Sequence, residues 1–251
     1  MRSIFCALIC CGVLATALLA DEPQTKDSPQ PAAAEATAAP VNEAPAKPAE
    51  DASAKPADGT PAKPADEVKW ISLFNGKDLT GWKVPQFGGE GEVTVENGEM
   101  RITMGAMISG IRYAGEKPFP KENFEIEVEA KRTMGSDFFA TITFPIGDSF
   151  ASFVTGGWGG NLFGVSCVND QDASENQYMT LQSVKSNQWY KVRVRVSKDR
   201  VQCFFNDKML ADIPREGNQF RTRMEVDLSQ PMGITNYCCE SVIRSIRYRT
   251  F

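Results

Sequence analysis

Apolar and polar residues alternate with period two along much of this chain, and that period belongs to β-strands. Phe124, Ile126, Val128 and Ala130 fall on one face of an extended segment, with Glu125, Glu127, Glu129 and Lys131 on the other. Tyr190, Val192, Val194 and Val196 alternate in the same way with Lys191, Arg193 and Arg195. Val201–Phe205 follows a turn at Lys198-Asp199, and Asn206-Asp207 turns the chain into Met209–Ala211. Glu92–Met104 reads E-V-T-V-E-N-G-E-M-R-I-T-M, and Asn-Gly between two alternating runs predicts a tight hairpin. The stretch from Gly233 to Phe251 predicts two more short strands. No long amphipathic helical period appears. Many short strands with turn residues between them predict an all-β sandwich over residues 68–251, a length that one all-β domain commonly reaches.

The first part of the chain has a different texture. Arg2 followed by an apolar run from Ile4 to Leu19, too short for a convincing membrane span, predicts a signal peptide over residues 1–20. Small residues at Ala15, Ala17 and Ala20 place cleavage after Ala17 or Ala20, and an uncleaved N-terminal anchor is the alternative. The expected protein is secreted or periplasmic, with no transmembrane segment after cleavage. Residues 21–67 are dominated by Ala, Pro, Lys, Asp and Glu and hold no aromatic side chain. Such a segment has too little apolar surface to offset chain entropy, which predicts a disordered linker. Within it A-K-P-A-[E/D] recurs from Ala46, Ala54 and Ala62, a low-complexity repeat with nothing to build a core.

Charge and cysteine usage narrow the picture. The net charge is −5, and the linker carries nearly all of it, leaving residues 67–251 close to neutral. No basic bias points to nucleic acid. The acidic row at Glu125, Glu127 and Glu129 and the basic rows at Arg193/Arg195 and Arg247/Arg249 suit opposite charges paired across a solvated sheet face. Cys167, Cys203, Cys238 and Cys239 lie beyond the signal segment, an even count that permits disulfides after export. Buried free thiols are the alternative.

The chain has no histidine. That removes Ser-His-Asp and Cys-His arrangements and, with no C-x-x-C spacing, a thiolate/imidazole zinc site. No phosphate-binding loop or dinucleotide fingerprint appears. What is left is carboxylates, amides, hydroxyls and aromatic rings, an inventory suited to carbohydrate. The densest such region runs from Phe144 to Asn176. Gly156-Gly157-Trp158-Gly159-Gly160-Asn161 sets an indole among four glycines, either pinned into the core or presented to a ligand. Asp170, Asp172 and Ser174 have the first-half spacing of a calcium loop, but the sixth position is Glu175 and the twelfth Leu181, where Gly and Glu are required. A looser calcium site and a polar loop whose acids cap turns are both open readings; no metal ligands or cofactor are assigned. Asp172 with Glu175 could form an acid/base pair.

Trp70–Trp82 reads W-I-S-L-F-N-G-K-D-L-T-G-W, and its F-N-G-K-D-L-x-G-W core resembles the opening signature of the domain of unknown function 1080 family, the 3-keto-disaccharide hydrolase family. Trp189–Val194 with Val201–Asp207, and Gly233-Ile234 with Ile243–Arg249, resemble that family's later hairpin and closing strands. The resemblance covers roughly residues 68–251. It implies a concanavalin- or laminin-G-like jelly roll and cleavage of 3-keto-glycosides by elimination and hydration. Many members carry Gln-Asp/Asn-His after the closing G-x-I-G-L strand, where this chain has Thr235-Asn236-Tyr237. The acidic mid-domain strand of the family corresponds to Gly164–Asn169. Two functions follow. One is a glycosidase-like enzyme using Asp137, Asp170, Asp172 and Glu175, with Trp158, Asn161, Asn169, Asn236 and Tyr237 against the sugar. The other is a non-catalytic carbohydrate-binding or cell-surface module.

Overall fold

The structure is a computed structural model that describes residues 69–251. The expected signal peptide and linker lie outside the described residues. Within them, β1 (Ile71–Ser72), β2 (Trp82–Lys83), β3 (Val93–Glu96), β4 (Glu99–Ile102) and β5 (Ile108–Tyr113) come first. The long β6 (Phe124–Gly135) follows, then β7 (Thr141–Ile146), β8 (Ser149–Gly157), β9 (Leu162–Ser166) and β10 (Thr180–Leu181). The chain continues through β11 (Tyr190–Val196), β12 (Arg200–Phe205) and β13 (Lys208–Pro214). A 3-10 helix (Met224–Ser229), β14 (Gly233–Tyr237) and the long β15 (Cys239–Thr250) complete it. No helix among the described residues is long and apolar enough to cross a membrane.

Two antiparallel sheets face each other, as the all-β reading expects. One runs β13-β12-β11-β6-β15-β4-β3, with β1 also paired to β15; the other runs β10-β9-β8-β7-β14-β5-β2. The alternating rows decide which face is buried. Phe124, Ile126, Val128, Val192, Val194, Ile142, Phe144, Phe153, Val165 and Ile234 all enter the one large core between the sheets. The Asn97-Gly98 turn takes positive φ at both residues (53° and 82°), the twist a two-residue hairpin needs, and joins β3 to β4.

The opening Trp70–Trp82 segment passes from one sheet to the other. Its β1 pairs with Tyr248 and Arg247 of β15, and its β2 pairs with β5 in the opposite sheet. Asn75 Oδ1 accepts from the backbone N–H groups of Lys77 (2.8 Å) and Asp78 (3.0 Å), while Asn75 Nδ2 donates to Asp78 Oδ1 at 2.8 Å. Trp82 is buried, and its Nε1 donates to the Leu73 carbonyl at 2.9 Å. The side chains of Asn75 and Asp78 therefore shape a turn and the indole closes it, all for structural ends.

The charged rows pair in register. Arg193 and Arg247 flank Glu127, and Arg195 and Arg249 flank Glu125. The face is less solvated than the sequence suggests: Glu125 is 0% exposed, covered by Arg193 and Arg249. Those arginines in turn lie over rings, Arg193 above Phe204 (4.0 Å) and Arg249 above Trp70 (4.7 Å). All four cysteines of the domain are free, with Cys167, Cys203 and Cys239 buried as small hydrophobes. Burial pushes the Cys239 thiol up to about 12.

Candidate functional site

A cleft of about 270 Å³ opens on the outer face of the seven-stranded sheet. Its floor follows from a second alternation, between bulky and small residues. Thr141-Ile142-Thr143-Phe144, Ala151-Ser152-Phe153, Phe163-Gly164-Val165-Ser166 and Gly233-Ile234-Thr235 all send bulky side chains inward. Thr141, Ser152 and Ser166 stay outside and line the recess, while Gly164 and Gly233 let Ala173 and Ser229 pack close against the sheet. Thr143 and Ser152 hydroxyls bond each other at 2.9 Å. The Thr141 and Thr235 hydroxyls, side by side on paired strands, are buried and have no partner within the protein.

The walls carry the chemistry. Trp158 sits at the β8–β9 turn with φ of 50° and is 46% exposed, so of the two readings of its glycine-flanked position the presented one holds. Its ring lines the cleft together with Asp137, Phe138 and Tyr237. Phe138 and Tyr237 stack with centroids 5.6 Å apart and planes inclined by 30°. Asp137 accepts from Phe138 N–H at 2.8 Å and from Gly159 N–H at 3.1 Å, which holds its carboxylate on the cleft wall. Charge repulsion from Cys238, then desolvation, raises the Tyr237 phenol above its ordinary value, so it keeps its proton near neutrality and can donate.

The opposite wall comes from the 3-10 helix and the residue before it. Arg223 Nη2 donates to Glu225 Oε1 at 2.7 Å, and Arg223 Nη1 pairs with Asp172. The Arg223 bond holds the Glu225 carboxyl below the usual glutamate range. Asp172 also accepts from Ser166 Oγ and from Ala173 N–H. Its oxygens are taken by these partners, and it does not line the cleft.

The other residues singled out in the sequence are dispersed. Asp170 accepts from Arg221 Nε at 2.6 Å, and Glu175 accepts from the Asp172 backbone N–H at 3.1 Å. In the calcium-like loop, arginine therefore supplies the positive charge for Asp170 and Asp172. Among the described residues no three Cys, Asp or Glu side chains gather to hold a metal ion. Asn169 bonds Asn218 and Gln219, beside Glu175 and away from the cleft. Asn161 lines a separate cavity across the Trp158 turn. Asn236 is 0% exposed and points between the sheets, donating to the Ile102 carbonyl and Ser241 Oγ, so no sugar in the cleft can reach it. The alternation of β14 puts its neighbour Tyr237 outside instead.

The cleft thus unites Asp137, Trp158 and Tyr237 of the expected residues and adds Arg223 and Glu225. The latter two sit at the start of the short 3-10 helix, with no motif around them. The floor did leave a signal in the sequence: small residues alternating with bulky ones in the three runs that supply Thr141, Ser152 and Ser166.

Several solved structures share this architecture. SCLam, a non-specific endo-β-1,3(4)-glucanase from family GH16, superposes with a TM-score of 0.50 at 11% identity, covering 76% of this chain and 95% of that one. A structure from work on endo-acting O-glycanases of the human gut microbiota that initiate mucin breakdown gives 0.50 at 12% identity, covering 73% and 98%. The Crh5 transglycosylase in complex with NAG gives 0.50 at 13%, covering 72% and 83%. Identities this low establish the sandwich fold alone. Among curated proteins no relative matches the chain. The sequence itself carries the assignment: the model of the 3-keto-alpha-glucoside-1,2-lyase-like domain matches residues 69–247, and the chain belongs to that family.

Proposed function

We propose that this is an exported, glycan-directed domain that binds a glycoside in the Trp158 cleft and cleaves 3-keto-glycosides by elimination. The observation that carries the proposal is the meeting of Asp137, Tyr237 and Trp158 in one recess, with the unpartnered Thr141 hydroxyl in its floor. The indole offers a flat apolar surface for a sugar face, and the Thr141 hydroxyl suits a sugar oxygen. In a 3-keto-glycoside the carbonyl acidifies the C2–H bond. Asp137 takes that proton, the C1–C2 double bond forms, the C1–O bond breaks, and the departing oxygen takes a proton from Tyr237. Water then adds across the new double bond. Export rests on Arg2 and the apolar run from Ile4 to Leu19.

One observation favours a second reading, a binding module without turnover. Of the four carboxylates proposed from sequence only Asp137 lines the cleft, and the added Glu225 is held by Arg223. Incubating the purified protein with a 3-keto-disaccharide and with its unoxidised parent separates the two. Release of monosaccharide from the keto form alone supports the lyase. Binding of either sugar without product leaves the module, and no binding at all overturns both.

A further inference from the structure

β6 carries its core-facing row one step beyond the apolar pattern. Phe124, Ile126, Val128 and Ala130 point between the sheets, and the next position in that row is Arg132. Arg132 is 5% exposed. Its Nη1 donates to the Asp137 carbonyl and its Nη2 to the Val184 carbonyl, each at 3.1 Å. Its Nε is buried and has no partner. Among the described residues no carboxylate forms an ion pair with it. Arginine is almost never buried to this degree without an anion, because neutral carbonyls do not replace the lost hydration of the charge.

The guanidinium borders an open cavity of about 420 Å³ that Gly160, Asn161, Leu181 and Ser183 also line. Two backbone carbonyls fix the plane of the fork, and one N–H on each Nη is left without a protein acceptor. Gly160 is required by the Ser136 carbonyl, with which a Cβ would collide, and its bareness also leaves Nη1 uncovered, 3.2 Å from where that Cβ would lie. The cavity lies across the same turn as the aromatic cleft: Trp158 lines the cleft, whereas Gly159 and Gly160 line the cavity.

We propose that this cavity is an anion subsite, taking the carboxylate or sulfate of an acidic glycan whose neighbouring sugar lies on Trp158. Planar guanidinium donors match both oxyanions, and an anion here supplies the charge that Arg132 lacks. The glycan part rests on the function proposed above; the anion part does not.

Two variants and two probes test it. Arg132→Gln removes the charge. Because Arg132 is buried, Ser183→Glu serves as the variant that leaves it in place: Ser183 is exposed on the cavity wall, and a carboxylate there becomes an internal counter-ion. Inorganic sulfate in the low-millimolar range, below general salt effects and compared with chloride at equal ionic strength, is expected to raise the melting temperature of the native protein with the concentration dependence of a bound ion. The rise disappears in Ser183→Glu, whose own melting temperature is higher without sulfate. Equal effects of sulfate and chloride on the native protein overturn the subsite. Calorimetry then compares a neutral galactose oligosaccharide with its uronate and its sulfated counterparts. The native protein is expected to bind at least one acidic form about tenfold more tightly than the neutral one, the gain of a charge-assisted contact. Both variants return that affinity to the neutral level, and the arm that gains identifies the oxyanion. Equal affinity for all three sugars overturns the link between cavity and cleft. Sulfate stabilisation with no sugar binding upholds the anion site and overturns the glycan reading.

Discussion

Asp137 Oδ2 accepts a hydrogen bond from the Gly159 backbone N–H at 3.1 Å. The acid on the cleft wall and the turn that presents Trp158 are therefore one unit. Gly160 N–H closes the same turn onto the Gly157 carbonyl at 3.2 Å, and Arg132 holds the Asp137 carbonyl from below. The guanidinium, the acid and the turn that carries the indole are linked through backbone groups and not by motif residues.

Replacing Asp137 with Asn keeps the size of the side chain and an acceptor for the turn, but removes the base. Turnover of a 3-keto-disaccharide is expected to fall by about 10²–10⁴-fold, the usual worth of a positioned general base. Affinity for the unoxidised parent sugar should change only a few-fold. Steady-state kinetics and calorimetry on the same preparation check both halves, and undiminished turnover removes Asp137 from this role.

Trp158 should show a separation of stability from function. It holds a left-handed φ that glycine adopts without strain, and its ring is not part of the core. Trp158→Gly is therefore expected to leave unfolding stability within about 1 kcal/mol of the native value. Glycan affinity should fall roughly fivefold, for about 1 kcal/mol of lost ring contact. Denaturant titration beside calorimetry tests it; a large loss of stability shows that the indole is structural after all.

Asp78 links the opening motif to pH. Hydrogen bonds from Thr80 and Asn75 lower its pKa from 3.8 to about 2. A carboxyl depressed in the folded state adds stability that is present above the unfolded value and lost as pH falls through the folded one. The contribution is thus complete above 3.8 and gone below about 2. Acid unfolding of Asp78→Asn should be flatter than that of the native protein across that interval, while the two curves run parallel above it. Circular dichroism against pH measures this.

Glu125 is the test of the charged sheet face. It is 0% exposed and is shared by Arg193 and Arg249. Glu125→Ala leaves two arginines covering an empty site. Discounted for the partial exposure of both arginines, the cost is expected to be about 2 kcal/mol. Thermal or denaturant unfolding gives the value, and a change below about 0.5 kcal/mol puts Glu125 with ordinary surface ion pairs.

Period-two alternation made the sandwich legible before any coordinates. A strand's side-chain direction depends only on the parity of position, so the apolar rows of β6 and β11 announce both the strand and its buried face. Asn97-Gly98 announces its hairpin for an equally local reason, the need for positive φ at both central residues. The same parity rule, applied to Thr141–Phe144 and Phe163–Ser166, identifies a face of small residues beneath the cleft. Applied one step past Ala130, it places Arg132 among the core positions.

The site is mostly beyond such local rules. Asp137, Trp158, Arg223 and Tyr237 come from four separate stretches of chain, and nothing in their spacing brings them together. Asp170, Asp172 and Glu175 look like a catalytic or calcium cluster because they are close in sequence. Arg221 and Arg223, about fifty positions later, occupy two of them. Asn236 and Tyr237 are adjacent, yet parity sends one into the core and the other to the cleft. Residue type and period thus decide strands, turns, buried faces and family membership, since these depend on neighbours along the chain. Which acid is free and which is paired depends on the closure of two sheets, because a carboxylate's chemistry is set by the charges that folding brings beside it.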